Sequence, residues 1–216
     1  MLRIITMCTL VLGIVGLSGA AYAHGHHRYA FNPSICMQLN IKSGMSQSLG
    51  QLSMNTKKRC HTRMRNGYPI PDPKCTPGAI NPTVTSAVLR DPYFFKANCV
   101  RNRVTTEREK AATYRWYGIR PRGDKHGSRQ ICELDYLVPL ELGGADTLDN
   151  VWPECGPANV PVWKRYFRRK DLVEGYLTKR VEEGKMKLWD AQQGIAKDWT
   201  QYLPAAMKAC IPGGCE

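Results

Sequence analysis

The residues of this chain best suited to chemistry lie in ICELDYLVPLELGGADTLDNVWPE, residues 131–154. Two short apolar-rich runs flank Gly143-Gly144. Asp135 sits in the first run, directly before Tyr136, and Asn150 opens the second. Ile131, Glu133, Asp135 and Leu137 share one parity; Cys132, Leu134, Tyr136 and Val138 share the other. The second parity is apolar and is expected to face a core, which turns Asp135 toward a functional face. A carboxylate so placed suits metal-assisted hydrolysis of a phosphodiester. That reaction needs a carboxylate to hold a divalent cation, a base to take a proton from water, a polar residue to orient the base, and a ligand from a following helix.

The flanking elements fit that plan. Gly143-Gly144 and Asp149-Asn150 carry loop chemistry, so 131–138 and NVWP read as the two strands of a hairpin. A long helix is expected from about Val162 to Glu183, stopped by Gly184, because Val162, Tyr166, Val173, Tyr176, Leu177 and Val181 recur at helical spacing. Lys164, Arg165, Arg168 and Arg169 lie largely away from that stripe. With Lys170 they form a basic stretch suited to phosphates. A final helix is expected from about Leu188 to Tyr202. An earlier one opens at Thr106, with Glu109 completing a capping box and Gly118 as its stop. The loop IRPRGDKHGSRQ, which carries His126, joins that helix to the hairpin.

LDYLVPLELGGADTLDNVWPE, followed by a helix containing YFRRKDLVEGYL, resembles the HNH endonuclease superfamily, and within it exported HNH-like proteins. The likeness runs through 132–154 and continues to about 177; CTPGAINPTVT, 75–85, resembles the upstream arm of that group. It implies an α+β fold with an HNH-like ββα core, a short hairpin plus a long helix, alongside further helices. It implies that Asp135 helps hold a divalent ion (Mg, Mn, Zn or Ni) and that Asn150 is the central asparagine of the motif. Two positions depart from the pattern. Tyr136 stands where the family places a general-base histidine. No histidine follows His126, so the helix offers Asp171 and Glu174 as ligands instead. A free tyrosine has a pKa near 10, so only about one in a thousand is deprotonated at neutral pH. Tyr136 with a metal-lowered pKa, or His126 swinging in, are the substitute bases.

Each residue also has a plainer reading. Asp135 can be a salt-bridge partner, Tyr136 core packing and His126 a solvated loop residue. Asn150 can shape its loop through bonds to backbone. Asp171 and Glu174 are spaced to pair with Arg168, Arg169 or Lys170, and the basic face can be merely solvated.

Charge and cysteines set the compartment. Arg3, an apolar run from Ile4 to Leu17 and Ala21-Tyr22-Ala23 read as a secretory signal over residues 1–23. The run is short for a bilayer-spanning helix and no second one follows, so no stable membrane span is expected after cleavage. Residues 24–70 read as a basic accessory segment and 71–216 as the HNH-like domain, with the proline-rich YPIPDPKCTPGAINP as an extended linker or covering arm. Cleavage would leave His24-Gly25-His26-His27 at the N-terminus, a Cu(II) or Ni(II) chelator or else a disordered polar end. The net charge of +13, lowered to +12 without Arg3, favours anionic partners: nucleic acid, acidic glycans or phospholipid.

Cys8 leaves with the signal, and the other eight cysteines read as disulfides of a secreted or periplasmic protein. The expected pairs are Cys36–Cys60, Cys75–Cys99, Cys132–Cys155 and Cys210–Cys215; the third is argued from the hairpin, whose strands those residues flank. Three functions remain open: a metal-dependent nuclease on DNA or RNA, a non-catalytic module binding nucleic acid or an envelope polymer, and a structural or protein-interaction role.

Overall fold

The computed structural model describes residues 31–51, 59–94, 98–101, 107–121, 123–124, 126–211 and 214–215. The signal segment, the histidine-rich stretch 24–27 and the Thr106 cap lie outside these residues.

The fold is mixed α+β, with small sheets, several helices and at least three disulfides. Helix α1 (Pro33–Gln38) starts where the Asn32 side chain accepts from the Ile35 N–H. Strand β1 (Gln47–Ser48) pairs with β4 (Ala79–Ile80); β2 (Arg63–Arg65) and β3 (Tyr68–Ile70) form a hairpin turned by Asn66-Gly67. Both turn residues have positive φ, at 50° and 80°, the conformation such a turn demands. Cys36, Ile41 and Ile70 join the main core, so the described part of residues 24–70 packs on the rest. Helices α2 (Ser86–Leu89) and α3 (Glu107–Trp116) follow.

Strands β5 (Cys132–Tyr136) and β6 (Val151–Cys155) are antiparallel, with Glu133 opposite Glu154, Asp135 opposite Trp152 and Tyr136 opposite Val151. The expected hairpin is therefore present. Its connecting loop turns at Leu140–Leu142 and at Gly143, whose φ is 71°. A Cβ at the next residue, Gly144, would collide with the Val138 carbonyl, which explains the Gly-Gly pair. The proline-rich segment covers this loop as an arm: Gly78 N–H donates to Asp149 O at 3.0 Å, and Asn81 N–H to Gly143 O at 2.8 Å.

Helix α4 (Tyr166–Glu182) starts later than its spacing predicts. Val162–Lys164 form a separate 3-10 turn and Arg165 is extended. Phe167, Lys170, Val173, Leu177 and Val181 form its buried stripe. At its C-terminus Gly184 N–H donates to Val181 O and Lys185 N–H to Arg180 O, the paired closure of a left-handed glycine stop. The expected last helix is broken. Helix α5 (Leu188–Asp198) ends where the Asp198 carboxylate accepts from Thr200 N–H and caps the 3-10 turn Trp199–Tyr202; α6 (Leu203–Ala209) follows. Strands β7 (Cys210–Ile211) and β8 (Gly214–Cys215) close the described chain.

The disulfides correct two expected pairs. Cys36 bonds Cys99 and Cys60 bonds Cys75, because the covering arm folds back beside the start of β2 while α1 reaches the segment after α2. Cys132–Cys155 forms as expected, clamping the open end of the hairpin. Cys210 is also disulfide-bonded, and the register sets Cys215 opposite it. Among the described residues no helix is long and apolar enough to cross a membrane.

Candidate functional site

The β5–β6 hairpin lies between α3 and α4. Side chains on a strand alternate between faces, and directly opposed residues share one. Glu133, Asp135 and Glu154 therefore share a face, and Tyr136 takes the other. Burial does not alternate along β5 as the parity suggested, because both faces are covered.

On the first face, α4 contributes Lys170, which is completely buried. Its ammonium donates to the Tyr136 carbonyl oxygen at 2.7 Å and to Glu174 Oε1. It also lies 2.9 Å from Asp135 Oδ2, an ion pair without hydrogen-bond alignment. Three oxygens thus surround one buried cation. Behind them Glu154 is completely buried, its carboxyl set against that of Asp135. Burial, then the negative charge of Asp135, push the Glu154 pKa well above the usual carboxylate range, against the pull of Lys170. Burial also raises Glu174, again opposed by Lys170. Glu133 is pushed up to about 7 by burial and by the charges of Asp135 and Asp171. Asp171 itself stays at the rim, with 43% of its side chain exposed and a 2.8 Å ion pair to Arg168.

On the second face the Tyr136 hydroxyl donates to Asp146 Oδ1 at 2.8 Å and accepts from Lys110 Nζ at 3.1 Å and from Arg101 Nη1 at 3.2 Å. Lys110 and Asp146 form a buried ion pair at 2.8 Å. Burial and Asp146 push the Tyr136 pKa up to about 12, outweighing the two cations. Tyr136 is neither plain core packing nor a base available at neutral pH. It is a half-buried hydroxyl that donates its hydrogen bond to Asp146.

Asn150 is buried and its amide is saturated. Nδ2 donates to Val138 O and Ala145 O, both at 2.9 Å; Oδ1 accepts from Val138 N–H at 2.9 Å and from Ala79 N–H at 3.3 Å. Carbonyls on one side and N–H groups on the other fix the amide's orientation. Asn150 staples its loop to the covering arm, the plainer of its two readings. His126 sits on an exposed loop.

The basic face also divides. Arg165 is buried and its guanidinium donates to Gln130 O and Val160 O. Lys170 is the buried cation of the notch between the hairpin and α4. Neither is placed to meet phosphate. Arg168 pairs with Asp171 and rests over the Phe167 ring. Lys164 and Arg169 lie 4.8 and 5.8 Å from the Trp163 ring centroid, and Trp163 is 59% exposed. Trp163 is the residue sequence reasoning missed here; it lies off the apolar stripe, directly before Lys164. Glu154 was missed as well, although pairing Cys132 with Cys155 already sets it opposite Glu133.

The expected divalent ion does not fit these residues as they stand. Asp135 and Glu174 do converge, but a positive nitrogen holds the point between them, and Asp171 faces the rim with Arg168. Among the described residues no group of three His, Cys, Asp or Glu side chains is arranged to hold a metal ion. No family model, characterised protein or solved structure matches the chain.

Proposed function

We propose that this chain is a non-catalytic module that binds nucleic acid outside the cytoplasm, on a scaffold related to the HNH ββα core. One observation carries the reading: the Lys170 ammonium sits among Asp135, Glu174 and the Tyr136 carbonyl, where a hydrolase of this plan needs its cation. The remaining parts agree with it. Tyr136 holds its proton against Asp146, and Asn150 has no bonding capacity left for substrate or base. The net charge of +13 gives long-range attraction for phosphates. Trp163 between Lys164 and Arg169 supplies an aromatic surface beside two cations, the pairing that single strands use for stacking and backbone neutralisation. The disulfides fit an oxidising compartment, secreted or periplasmic.

The test is twofold. The oxidised protein is incubated with plasmid and Mg²⁺, Mn²⁺, Zn²⁺ or Ni²⁺, and its binding to a fluorescent single-stranded oligonucleotide is followed by anisotropy at several salt concentrations. No cleavage is expected. Binding should weaken steeply with salt and fall by about tenfold in Trp163→Ala/Arg169→Ala, a loss of one stacked base and one phosphate contact. Chelator-sensitive cleavage abolished by Asp135→Ala overturns the reading in favour of a nuclease. Absence of binding at low salt leaves only the structural role.

A further inference from the structure

An open cleft of about 410 Å³ lies between the β2–β3 hairpin and the end of β6, away from the acidic notch. Its walls are apolar and aromatic: Met64 and Pro69 on one side, Pro153 and Tyr166 on the other, with Ile119 from the turn after α3. No Asp or Glu lines it. Both walls are cross-linked, one by Cys60–Cys75 and the other by Cys132–Cys155, so the cleft is held open before anything enters. The Tyr166 ring is fixed as well. Its backbone N–H donates to Gly156 O at 2.8 Å, and its ring meets Tyr68 edge-on at 5.7 Å. Gly156 has a φ of 95°, and a Cβ there would stand 3.6 Å from the ring. The polar groups of the lining are the His61 imidazole and the Thr62 and Tyr166 hydroxyls, and none of them bonds to the described residues. Each wall also carries cations: Arg63 and Arg65 alternate with Thr62 and Met64 along β2, and Lys164 and Arg169 flank Tyr166 at the start of α4.

We propose that this cleft is a base-binding subsite: it takes one nucleobase of a single strand between Tyr166 and the Met64–Pro69 wall, while the strand's phosphates run outside it along Lys164 and Arg169. A planar heteroaromatic ring with an anionic tail matches this combination of a flat apolar slot, uncommitted hydrogen-bonding groups and cations on both walls. The size fits one nucleotide. The subsite lies three residues beyond Trp163, so a strand stacked on that indole continues naturally toward Tyr166. The proposal rests on the nucleic-acid binding inferred above, but not on the loss of catalysis and not on Trp163 as a contact.

The experiment compares the oxidised native chain with Met64→Glu and Met37→Glu. Both methionines are exposed, at 59% and 78%, so both variants fold and make the same charge change, but only Met64 lines the cleft. Saturation-transfer NMR follows deoxyadenosine 5′-phosphate, with deoxyribose 5-phosphate as a competitor that lacks the base; anisotropy follows a fluorescent single-stranded oligonucleotide. The adenine protons should receive more transfer than the sugar protons, and the base-free competitor should be at least about tenfold weaker. Met64→Glu should weaken nucleotide and oligonucleotide at least about fivefold more than Met37→Glu does, the loss of one seated base. Equal effects of the two variants overturn the proposal, because net charge alone then explains them. Equal competition by deoxyribose 5-phosphate also overturns it, because the site then reads only phosphate. Oligonucleotide binding that depends on Trp163 but not on Met64 sinks the subsite and leaves the proposed function standing. Chelator-sensitive cleavage with binding still dependent on Met64 sinks the non-catalytic reading and leaves the subsite.

Discussion

Asn150 separates a motif residue kept for chemistry from one kept for shape, and replacing it gives a measurable answer. Its amide makes four bonds to backbone, to Val138 N–H and O, Ala145 O and Ala79 N–H. In Asn150→Ala two carbonyls and two N–H groups lose a partner in a buried loop. A buried polar group left unpaired costs about 1–3 kcal/mol, and four neighbours relaxing together do not add fully. The expected loss is about 3–5 kcal/mol, a large share of the roughly 5–15 kcal/mol typical of a domain. Asn150→Asp is the sharper probe. It keeps both accepted bonds but sets a carboxylate against the Val138 and Ala145 carbonyls. That raises the folded-state pKa of the new acid, so the folded state binds a proton the unfolded state does not. Stability should therefore rise as pH falls through the folded pKa, by up to about 1.4 kcal/mol per pH unit, and level off near the unfolded value of about 4. Urea unfolding of the oxidised protein at pH 5, 6, 7 and 8, followed by tryptophan fluorescence, measures both variants. If Asn150→Ala stays within about 1 kcal/mol of the native chain, the amide is not a staple and the argument from its saturation collapses.

Glu133 gives a second pH test. Its folded pKa of about 7 lies above the unfolded value, so ionising it destabilises the fold and its share of stability shrinks as pH rises from about 4.5 past 7. Glu133→Gln should gain about 1–2 kcal/mol on the native chain between pH 5 and pH 8, after allowing for partial exposure; a gap that stays constant across that range contradicts the environment described. Tyr136→Phe removes a hydroxyl but leaves the Lys110–Asp146 pair, so urea unfolding should show a loss of about 1–2 kcal/mol and anisotropy unchanged oligonucleotide binding; a loss of binding would make the phenol part of the interface. Non-reducing peptide mapping should give Cys36–Cys99 and Cys60–Cys75, and any Cys36–Cys60 peptide refutes the arrangement. Replacing both Cys36 and Cys99 by Ser should lower stability by about 4 kcal/mol, from the 63-residue separation they span.

The hairpin and the long helix were legible because their signals are local. Two apolar runs around Gly143-Gly144 and a stripe at helical spacing need no tertiary knowledge. The helix start was misplaced because Val162 continues the apolar pattern, while Pro161 and the buried Arg165 guanidinium hold that stretch out of the helix. The single tail helix broke because Asp198 bonds Thr200 N–H, competition from a side chain that periodicity does not register. The crossed cysteine pairs depend on how the covering arm folds back, which no spacing encodes. At the site, Asp135 and Glu174 were named and do converge. Lys170 was placed with the phosphate-facing cations because lysines are seldom fully buried. Yet it lies three residues after Phe167 and three before Val173, on the buried stripe, and that spacing was the sign that it points inward.

The charge balance of the notch also bears on where a polyanion can sit. Lys170 is the one side-chain cation among Asp135, Glu154 and Glu174, and burial pushes both glutamates well above the usual carboxylate range. Acid outnumbers base in the notch, and as Glu133, Glu154 and Glu174 ionise with rising pH it turns negative and repels phosphate. A strand drawn in by the overall +13 must be received elsewhere, and among the basic residues of this helix start Lys164 and Arg169 beside Trp163 are the pair not folded inward. The two regions should then be separable by mutation. Lys170→Met makes the notch more negative and should weaken oligonucleotide binding by no more than about twofold, through the net charge alone. Trp163→Ala should weaken it several-fold while leaving stability within about 0.5 kcal/mol, as an exposed side chain predicts. If Lys170→Met abolishes binding in a chain that still folds, the strand enters the notch after all, and the lysine is its receptor.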